Sequence, residues 1–525
     1  MKFLMRIRAV LNACGCVCQM WPKPQNDPAM RLGSRFSGRL LIVLILGVGL
    51  AFGQPPVSLW PLALLSLLAV FWLETHQSLN DSLPQAFGRG WSLGMGYFTV
   101  SMHWIVEPFL VDSAAHGWMA PFALLLFAGG LSVFWGCAFA LALRLQTPFG
   151  LAFALGFFEL ARGYTLTGFP WGALGYIWAD TPVAQSAAWI GLYGLSVITV
   201  FWAACVHWLF LRKQIFWMVL VLVGVWPVAW IGGDMRLTMQ KSALTERTVR
   251  LVQPNAPQHQ KWDPAFSRSF FERSLAFTAA EPSVDLVVWP ESALPVSFEN
   301  AETLIEQIAV AADGTALLLG ALRLENEKVL NSIVYMDQNG SAEVVYDKHH
   351  LVPFGEYLPF ERWLERIGLG FTSDLFGTGF AAGEGPKLIN IAPLGAIMPL
   401  ICYEAVFPQD VSFASQKATV LLQLTNDAWF GRFAGPQQHL AQAKMRSIEQ
   451  GLPMIRVANT GISAMIDPYG RSLKQLGLNT AGFIDAQVPQ PASATLYRRF
   501  EIWTVFALLF AILMLSLICR RQISG

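Results

Sequence analysis

The sequence predicts two unlike parts, a multi-pass α-helical membrane domain of about eight transmembrane helices and an α/β domain in which helices cover a sheet. Three observations predict them. Apolar residues make up 54% of the 525 and charged residues only 14%, with 20 Trp and 37 Phe, whereas ordinary soluble domains carry roughly 25% charged residues. The apolar residues fall in long runs over 38–232 and again over 501–519. Between these runs, 245–498 alternates short apolar strands with segments of helical spacing. The net charge of +1 argues against a nucleic-acid partner, which needs a concentrated basic footprint.

Residues 1–37 form a basic N-terminal extension on the cytoplasmic side. Met30-Arg-Leu-Gly-Ser-Arg-Phe-Ser-Gly-Arg39, ahead of an apolar run, looks like a natural start, so 1–29 reads as an upstream extension. Cys14, Cys16 and Cys18 form C-x-C-x-C there; a metal or lipidation role stays open, although neither the spacing nor a nearby His supports it. Cys137, Cys205 and Cys519 sit inside apolar runs, where a thiol behaves as a small hydrophobe, so no disulfide framework is expected.

Spans of about 20 apolar residues, with shorter ones tolerated, fall at 38–53, 56–74, 86–108, 117–143, 149–166, 183–210 and 214–232, and then at 501–519. Pro55-Pro56 separates the first two as a tight turn. Orientation follows from the basic loops. Arg31, Arg35 and Arg39, then Arg89, Arg144, Arg212 with Lys213, and finally Arg520 and Arg521 all fall on one side if seven spans precede the α/β domain. That side is the cytoplasm, including the tail 520–525. The α/β domain then faces the periplasm of a bacterial inner membrane. Ionisable residues inside spans need a reason. Glu159 and Arg162, three apart, can pair with each other or shape the outer mouth of the bundle; His103 and Glu107, four apart, carry the same two readings.

In the α/β domain, Thr248–Gln253 opens as a strand, Phe266–Ala280 is helical, and Asp285-Leu-Val-Val-Trp-Pro290 is a buried strand running into Glu291. Asn300 is placed to cap a helix to Ala312. Ala316–Leu322 is a strand, and Val329–Met336 with Ala342–Tyr346 forms a hairpin across Asp337-Gln-Asn-Gly340. Ile397–Ile401 is a short strand that ends on Cys402; Thr419–Leu424, the helix Pro436–Gln450 and a hairpin at Asp467-Pro-Tyr-Gly470 complete the domain.

Three polar groups therefore follow strand ends: Glu291, Lys348 and Cys402. Together they make a workable acyl-transfer site. A free thiol has a pKa near 8.5 and needs a base and a cation. Glu291 can take and return the proton, Lys348 can stabilise the thiolate and an oxyanion, and the N–H of Tyr403 can be a second oxyanion donor. Each also has a plainer reading: Glu291 as a helix cap, Lys348 as a solvated charge, Cys402 as a small core residue.

Trp289-Pro-Glu-Ser-Ala-Leu-Pro295, Tyr346-Asp-Lys-His-His-Leu-Val-Pro-Phe-Gly-Glu356 and Ile401-Cys-Tyr-Glu404 resemble the three active-site signatures of the nitrilase (carbon–nitrogen hydrolase) superfamily. With Leu424-Thr-Asn-Asp-Ala-Trp-Phe-Gly431 and the flanking spans, the chain from about residue 38 onward more narrowly resembles the apolipoprotein N-acyltransferases. That resemblance implies a nitrilase-like αββα sandwich on an eight-span membrane domain and a Glu291–Lys348–Cys402 triad. It implies that Cys402 takes an acyl chain from a phospholipid, typically phosphatidylethanolamine, as a thioester, and passes it to the α-amino group of a lipoprotein's diacylglyceryl-cysteine. Glu356, Tyr403 and Glu404 match supporting positions, with Glu356 and Glu404 expected to orient Lys348 and the incoming amine. Trp262, in Lys-Trp-Asp, resembles a substrate-contact tryptophan. No cofactor or metal is expected, and the protein is expected to act as a monomer. The apolar stretch Pro353–Gly385, including Phe371 and Phe376, is expected to dip into the outer leaflet as a lid over lipid substrates. A membrane-tethered amidase releasing acid to water, and an inert lipid-binding protein, are the rival classes.

Overall fold

The computed structural model describes residues 32–75, 81–359, 366, 379–415 and 417–524. The N-terminal cysteines and the upstream extension lie outside these, as do Phe371, Phe376 and most of the expected lid. Helices Leu32–Ala51, Trp60–Thr75, Leu83–Ser101, Ala120–Leu145, Pro148–Tyr164, Ala187–Leu211 and Ile215–Met239 precede the α/β domain, and Trp503–Ser524 follows it. Each falls on one of the expected apolar stretches. Among the described residues, four helical segments, Ser113–Leu145, Pro182–Leu211, Ile215–Met239 and Trp503–Arg521, are long and apolar enough to cross a membrane.

The third stretch is shorter than expected. Its helix stops at Ser101 and gives way to a tight turn, His103–Val106. Trp104 leaves the helical path to stack near Trp171 (centroids 4.4 Å apart) and to donate its indole N–H to Gln438. Glu159 and Arg162 are both buried and pair at 3.2 Å, and they also hold the turn that follows. Arg162 donates to the Trp171 carbonyl (2.9 Å), while Glu159 accepts from Trp135 Nε1 (2.8 Å) and the Leu174 N–H (3.1 Å). A buried ion pair is stable only when its remaining donors and acceptors are satisfied, and these extra bonds do that for all but Arg162 Nε, which has no hydrogen-bond partner among the described residues.

The α/β domain has strands β1 (Leu244–Gln253), β2 (Leu286–Val288), β3 (Ala316–Glu325), β4 (Lys328–Met336), β5 (Ala342–Asp347), β6 (Ile389–Ile391), β7 (Gly395–Ile401), β8 (Val420–Thr425), β9 (Met454–Ala458), β10 (Ser463–Ile466), β11 (Ser472–Leu476) and β12 (Gly482–Pro489). They form two six-stranded sheets, ordered β12-β1-β2-β3-β4-β5 and β11-β10-β9-β8-β7-β6. The period of two along each strand sorts its residues between layers. Leu286, Val288, Ile397, Ile401, Leu422 and Leu424 share the core between the sheets. Val287 and Trp289 instead face Phe271 and Ile308 on the helices Pro264–Thr278 and Glu302–Ala312. Met398, Leu400 and Leu421 face Val411 and Leu440 on the helices Pro408–Ser415 and Gly435–Gln450. The layers therefore run helix, sheet, sheet, helix.

Both expected hairpins form, β4–β5 and β10–β11. The helix start expected at Asn300 moves by one residue, because Ala301 is the cap position and the Asn300 amide donates to Ser297 Oγ (2.9 Å). Gln438 joins the α/β domain to the helices. Its Oε1 accepts from Trp104 Nε1 (3.1 Å) and Trp171 Nε1 (2.7 Å), and its Nε2 donates to the carbonyls of Pro55 and Ser101 (both 3.1 Å).

Candidate active site

The crevice lies at the carboxyl ends of strands from both sheets, where an α/β sheet leaves room for a ligand. β2 runs into Trp289-Pro-Glu291, β5 into Lys348, β7 into Cys402 and β8 into Asn426. Lys348 is held in place through its neighbour, Asp347, which accepts from Ser332 Oγ (2.5 Å) and Arg323 Nε (2.9 Å). Glu291, Lys348 and Cys402 are 6%, 1% and 5% exposed. Three ionisable groups this deeply buried must be paired or neutral.

They are tied together. Lys348 Nζ donates to Glu356 Oε1 (2.7 Å) and sits 3.9 Å from Glu291 Oε1. Glu291 accepts from Asn331 Nδ2 on Oε1 and from the Asn426 N–H on Oε2, both at 2.7 Å. These bonds fix both carboxylate oxygens. Burial works to discharge Lys348, but Glu356 and then Glu291 outweigh it and hold the ammonium well above its ordinary value. Cys402 goes the other way. Burial, then the Glu291 charge, push the thiol far up, and the opposing pull of Lys348 does not cancel them. The thiol rests protonated, beside a fixed carboxylate and a fixed cation.

Cys402 sits at φ +49°, a left-handed conformation that costs a non-glycine residue of order 1–3 kcal/mol unless its surroundings enforce it. The surroundings are a buried polar chain. The Cys402 carbonyl accepts from Gln423 Nε2 (3.2 Å). His439, lowered by burial and then by Arg456, stays neutral; its Nδ1–H donates to Asp427 Oδ1 (2.8 Å), leaving Nε2 to accept from Gln423 (2.9 Å). Burial would raise Asp427, yet Arg456 and His439 hold it down at about 2.

The supporting residues divide. Glu356 accepts from Lys348 Nζ, and its other oxygen accepts the Val352 N–H (2.7 Å), closing the loop that carries it. Glu404 is engaged elsewhere. Fully buried, it accepts from the N–H groups of Ile401 (2.7 Å), His349 (2.7 Å) and His350 (3.2 Å) and from the Tyr346 hydroxyl (2.9 Å). His349 Nδ1 also faces Oε1 at 2.7 Å, and together these contacts hold the Lys348 loop against the Cys402 strand. Tyr403 is buried edge-on against Phe407 (4.9 Å), and among the described residues its hydroxyl has no hydrogen-bond partner. Trp262 is 43% exposed at the lip, over Lys261 Nζ (5.5 Å).

Lys261, Asn331 and Asn426 escaped the sequence reading as individuals. Asn426 and Lys261 lie inside stretches already noted for their resemblance, whereas Asn331 carries no local signal. Lys261 is 8% exposed and donates to the backbone carbonyl of Glu291 (3.1 Å). Burial lowers its pKa to about 8, against the pull of Glu291 and Cys402. Its folded value lies below the unfolded one, so the unfolded chain binds this proton more tightly. The charge costs stability in full below about pH 8, and the cost fades as pH rises towards 10.5. Lys261→Met is therefore expected to raise the thermal unfolding midpoint at pH 7 by the equivalent of about 1–3 kcal/mol, with the gain shrinking by pH 9.5. Unfolding scans at both pH values check it, and a gain that grows with pH would contradict it.

Comparison with known proteins places the chain in a family. Residues 228–498 match a family model described as carbon-nitrogen hydrolase, and 46–205 match one described as apolipoprotein N-acyltransferase N-terminal domain. A protein of Rhodopseudomonas palustris named apolipoprotein N-acyltransferase is 35% identical over 514 residues, covering 92% of this chain and 95% of the relative. The chain belongs to the apolipoprotein N-acyltransferase family. A Caulobacter vibrioides member of the same name is 38% identical over 488 residues, covering 87% and 90%. This family membership makes the chain a membrane protein and an acyltransferase of the carbon–nitrogen hydrolase superfamily, acting on lipid and lipoprotein substrates.

Proposed function

We propose that the chain is a phospholipid:apolipoprotein N-acyltransferase that works through a thioester on Cys402, with Glu291 as base and acid and Lys348 as the cationic stabiliser. The convergence of these three groups on one buried crevice, in a chain of this family, carries the reading. Glu291 takes the thiol proton as sulfur attacks the ester carbonyl of a phospholipid, with phosphatidylethanolamine the expected donor. Lys348 and the Tyr403 N–H stabilise the tetrahedral oxyanion, and Glu291 returns the proton to the departing lysophospholipid hydroxyl. In the second half, Glu291 takes a proton from the α-amino group of the diacylglyceryl-cysteine as the nitrogen attacks the thioester. The amide forms and the Cys402 thiol is regenerated.

The layout fits substrates held in a bilayer. Eight spans would carry residues 38–232 and 501–519, with 1–37 and 520–525 in the cytoplasm and 245–498 as a catalytic domain on the periplasmic face of a bacterial inner membrane. Trp262, Phe354, Trp429 and Phe433 expose apolar rings on the segments that follow β1, β5 and β8, suited to acyl chains and to excluding the water that would hydrolyse a thioester. The enzyme would act as a monomer. Intact-mass analysis after mixing the purified protein with phosphatidylethanolamine vesicles tests the thioester. One acyl adduct mapping to Cys402, discharged by a diacylglyceryl-cysteine peptide, is expected. Release of free fatty acid without peptide acylation would instead make it a hydrolase.

A further inference from the structure

Directly after Lys348, two histidines meet an aspartate from another element. His350 Nδ1 lies 2.8 Å from Asp410 Oδ2, and His349 Nε2 lies 3.4 Å from the same oxygen. One donor atom from each residue falls within 4.8 Å of the others. Asp410 belongs to the helix Pro408–Ser415, which follows the Cys402 turn.

The opposite nitrogen of each ring is already engaged. His349 Nδ1 faces Glu404 Oε1 and the Tyr346 hydroxyl, each at 2.7 Å. His350 Nε2 faces the Thr167 carbonyl (3.4 Å), and its ring is stacked on Phe407 with centroids 3.5 Å apart. A histidine whose second nitrogen is held by a carboxylate or carbonyl is oriented as metal-ligating histidines are. His349 Nε2, meanwhile, is buried, and beyond its 3.4 Å approach to Asp410 Oδ2 it makes no hydrogen bond among the described residues.

We propose that His349, His350 and Asp410 form a binding site for a zinc-like divalent cation. The ligand set of two imidazoles and one carboxylate suits a borderline cation, with a water in the fourth position. Tetrahedral ligands at about 2.0–2.2 Å stand roughly 3.3 Å apart. The His349 separation already matches, and the His350 pair needs to open by only about 0.5 Å. The side chains are 11%, 24% and 15% exposed, which leaves an entry path. On binding, each imidazole gives its ring-nitrogen lone pair to the cation, and any proton it carried passes to solvent. The cation would tie the Lys348 loop to the helix beyond Cys402 and, through His350, to the 165–169 turn of the helical domain, making the three residues positioning groups for Lys348.

Full-length protein in detergent is equilibrated with buffered zinc, desalted, and assayed for metal by mass spectrometry. Wild type should retain about one zinc per chain more than His349→Asn or Asp410→Asn, and His349→Cys, which keeps a ligand, should retain it. The difference between variants removes any zinc held by the other cysteines. X-ray absorption of the zinc-loaded wild type gives a second readout that needs no variant to fold: imidazole scattering with a shell at about 2.0–2.1 Å is expected. Equal zinc in wild type and both ligand-removing variants, or no imidazole scattering, overturns the site and leaves the cluster as an ion-paired network. Both readouts are independent of acyl transfer, so their failure would leave the acyltransferase reading intact.

Discussion

Glu291→Gln is expected to slow formation of the Cys402 acyl adduct by about 10²–10⁴-fold, the usual worth of a positioned general base. The size follows from the thiol's surroundings. Burial and a neighbouring carboxylate push Cys402 upward, so almost none of it is thiolate at neutral pH, and attack must be coupled to proton removal. Glu291 is held for that task by Asn331 and the Asn426 N–H, one on each oxygen. Glutamine fills the same volume but cannot accept the proton, and it must turn its amide towards one of those two donors. The variant should stay folded, and its residual rate should climb with pH as hydroxide replaces the missing base. Time-resolved intact mass against phospholipid vesicles measures this. An adduct forming at the wild-type rate would remove Glu291 from the mechanism.

Glu404→Ala is expected to damage the fold rather than the chemistry. Its carboxylate accepts three backbone N–H groups and one hydroxyl in full burial, and each buried donor left unpaired costs about 1–3 kcal/mol. A total loss of roughly 3–5 kcal/mol is expected, as for a buried charge network stripped of one member. The thermal midpoint should fall by many degrees and the variant should be recovered poorly. Glu404→Gln should retain more stability, since it keeps one acceptor oxygen. Were Glu404 to act on substrate alone, the alanine variant would instead be as stable as wild type and merely slow.

The contrast between Glu291 and Glu404 marks how far the sequence reaches. Local patterns made the α/β alternation legible: the Leu286–Val288 run, the Asp337-Gln-Asn-Gly340 and Asp467-Pro-Tyr-Gly470 turns, and the apolar strand ending at Cys402. Such signals are intrinsic to a few neighbouring residues, because side-chain period and turn geometry are local properties. Three polar groups placed after strand ends could be recognised for the same reason. The resemblance also marked Glu404 and expected it to orient Lys348 or the incoming amine, whereas its bonds run to backbone N–H groups and a hydroxyl. A carboxylate two residues after a nucleophile looks chemical until its partners on the 346–350 segment are known.

Other features depended on contacts that no local pattern encodes. Lys261 reaches the Glu291 carbonyl across 30 residues, and Gln438 ties the α/β domain to Pro55 across 383. His349 and His350 meet Asp410 only because β5 and β7, neighbours of different strands in different sheets, bring their ends together. By itself the sequence determined the helical-plus-α/β architecture and most of the strands, though not β6, β9 or β12, and it placed Glu291, Lys348 and Cys402 after strand ends, since these follow from composition, periodicity and short motifs. Tertiary structure alone decided which carboxylates lie beside Lys348, which is taken up by backbone N–H groups, and how burial shifts the thiol. Those outcomes depend on burial and on distances of 3–4 Å between distant segments, which only the packed sheets define.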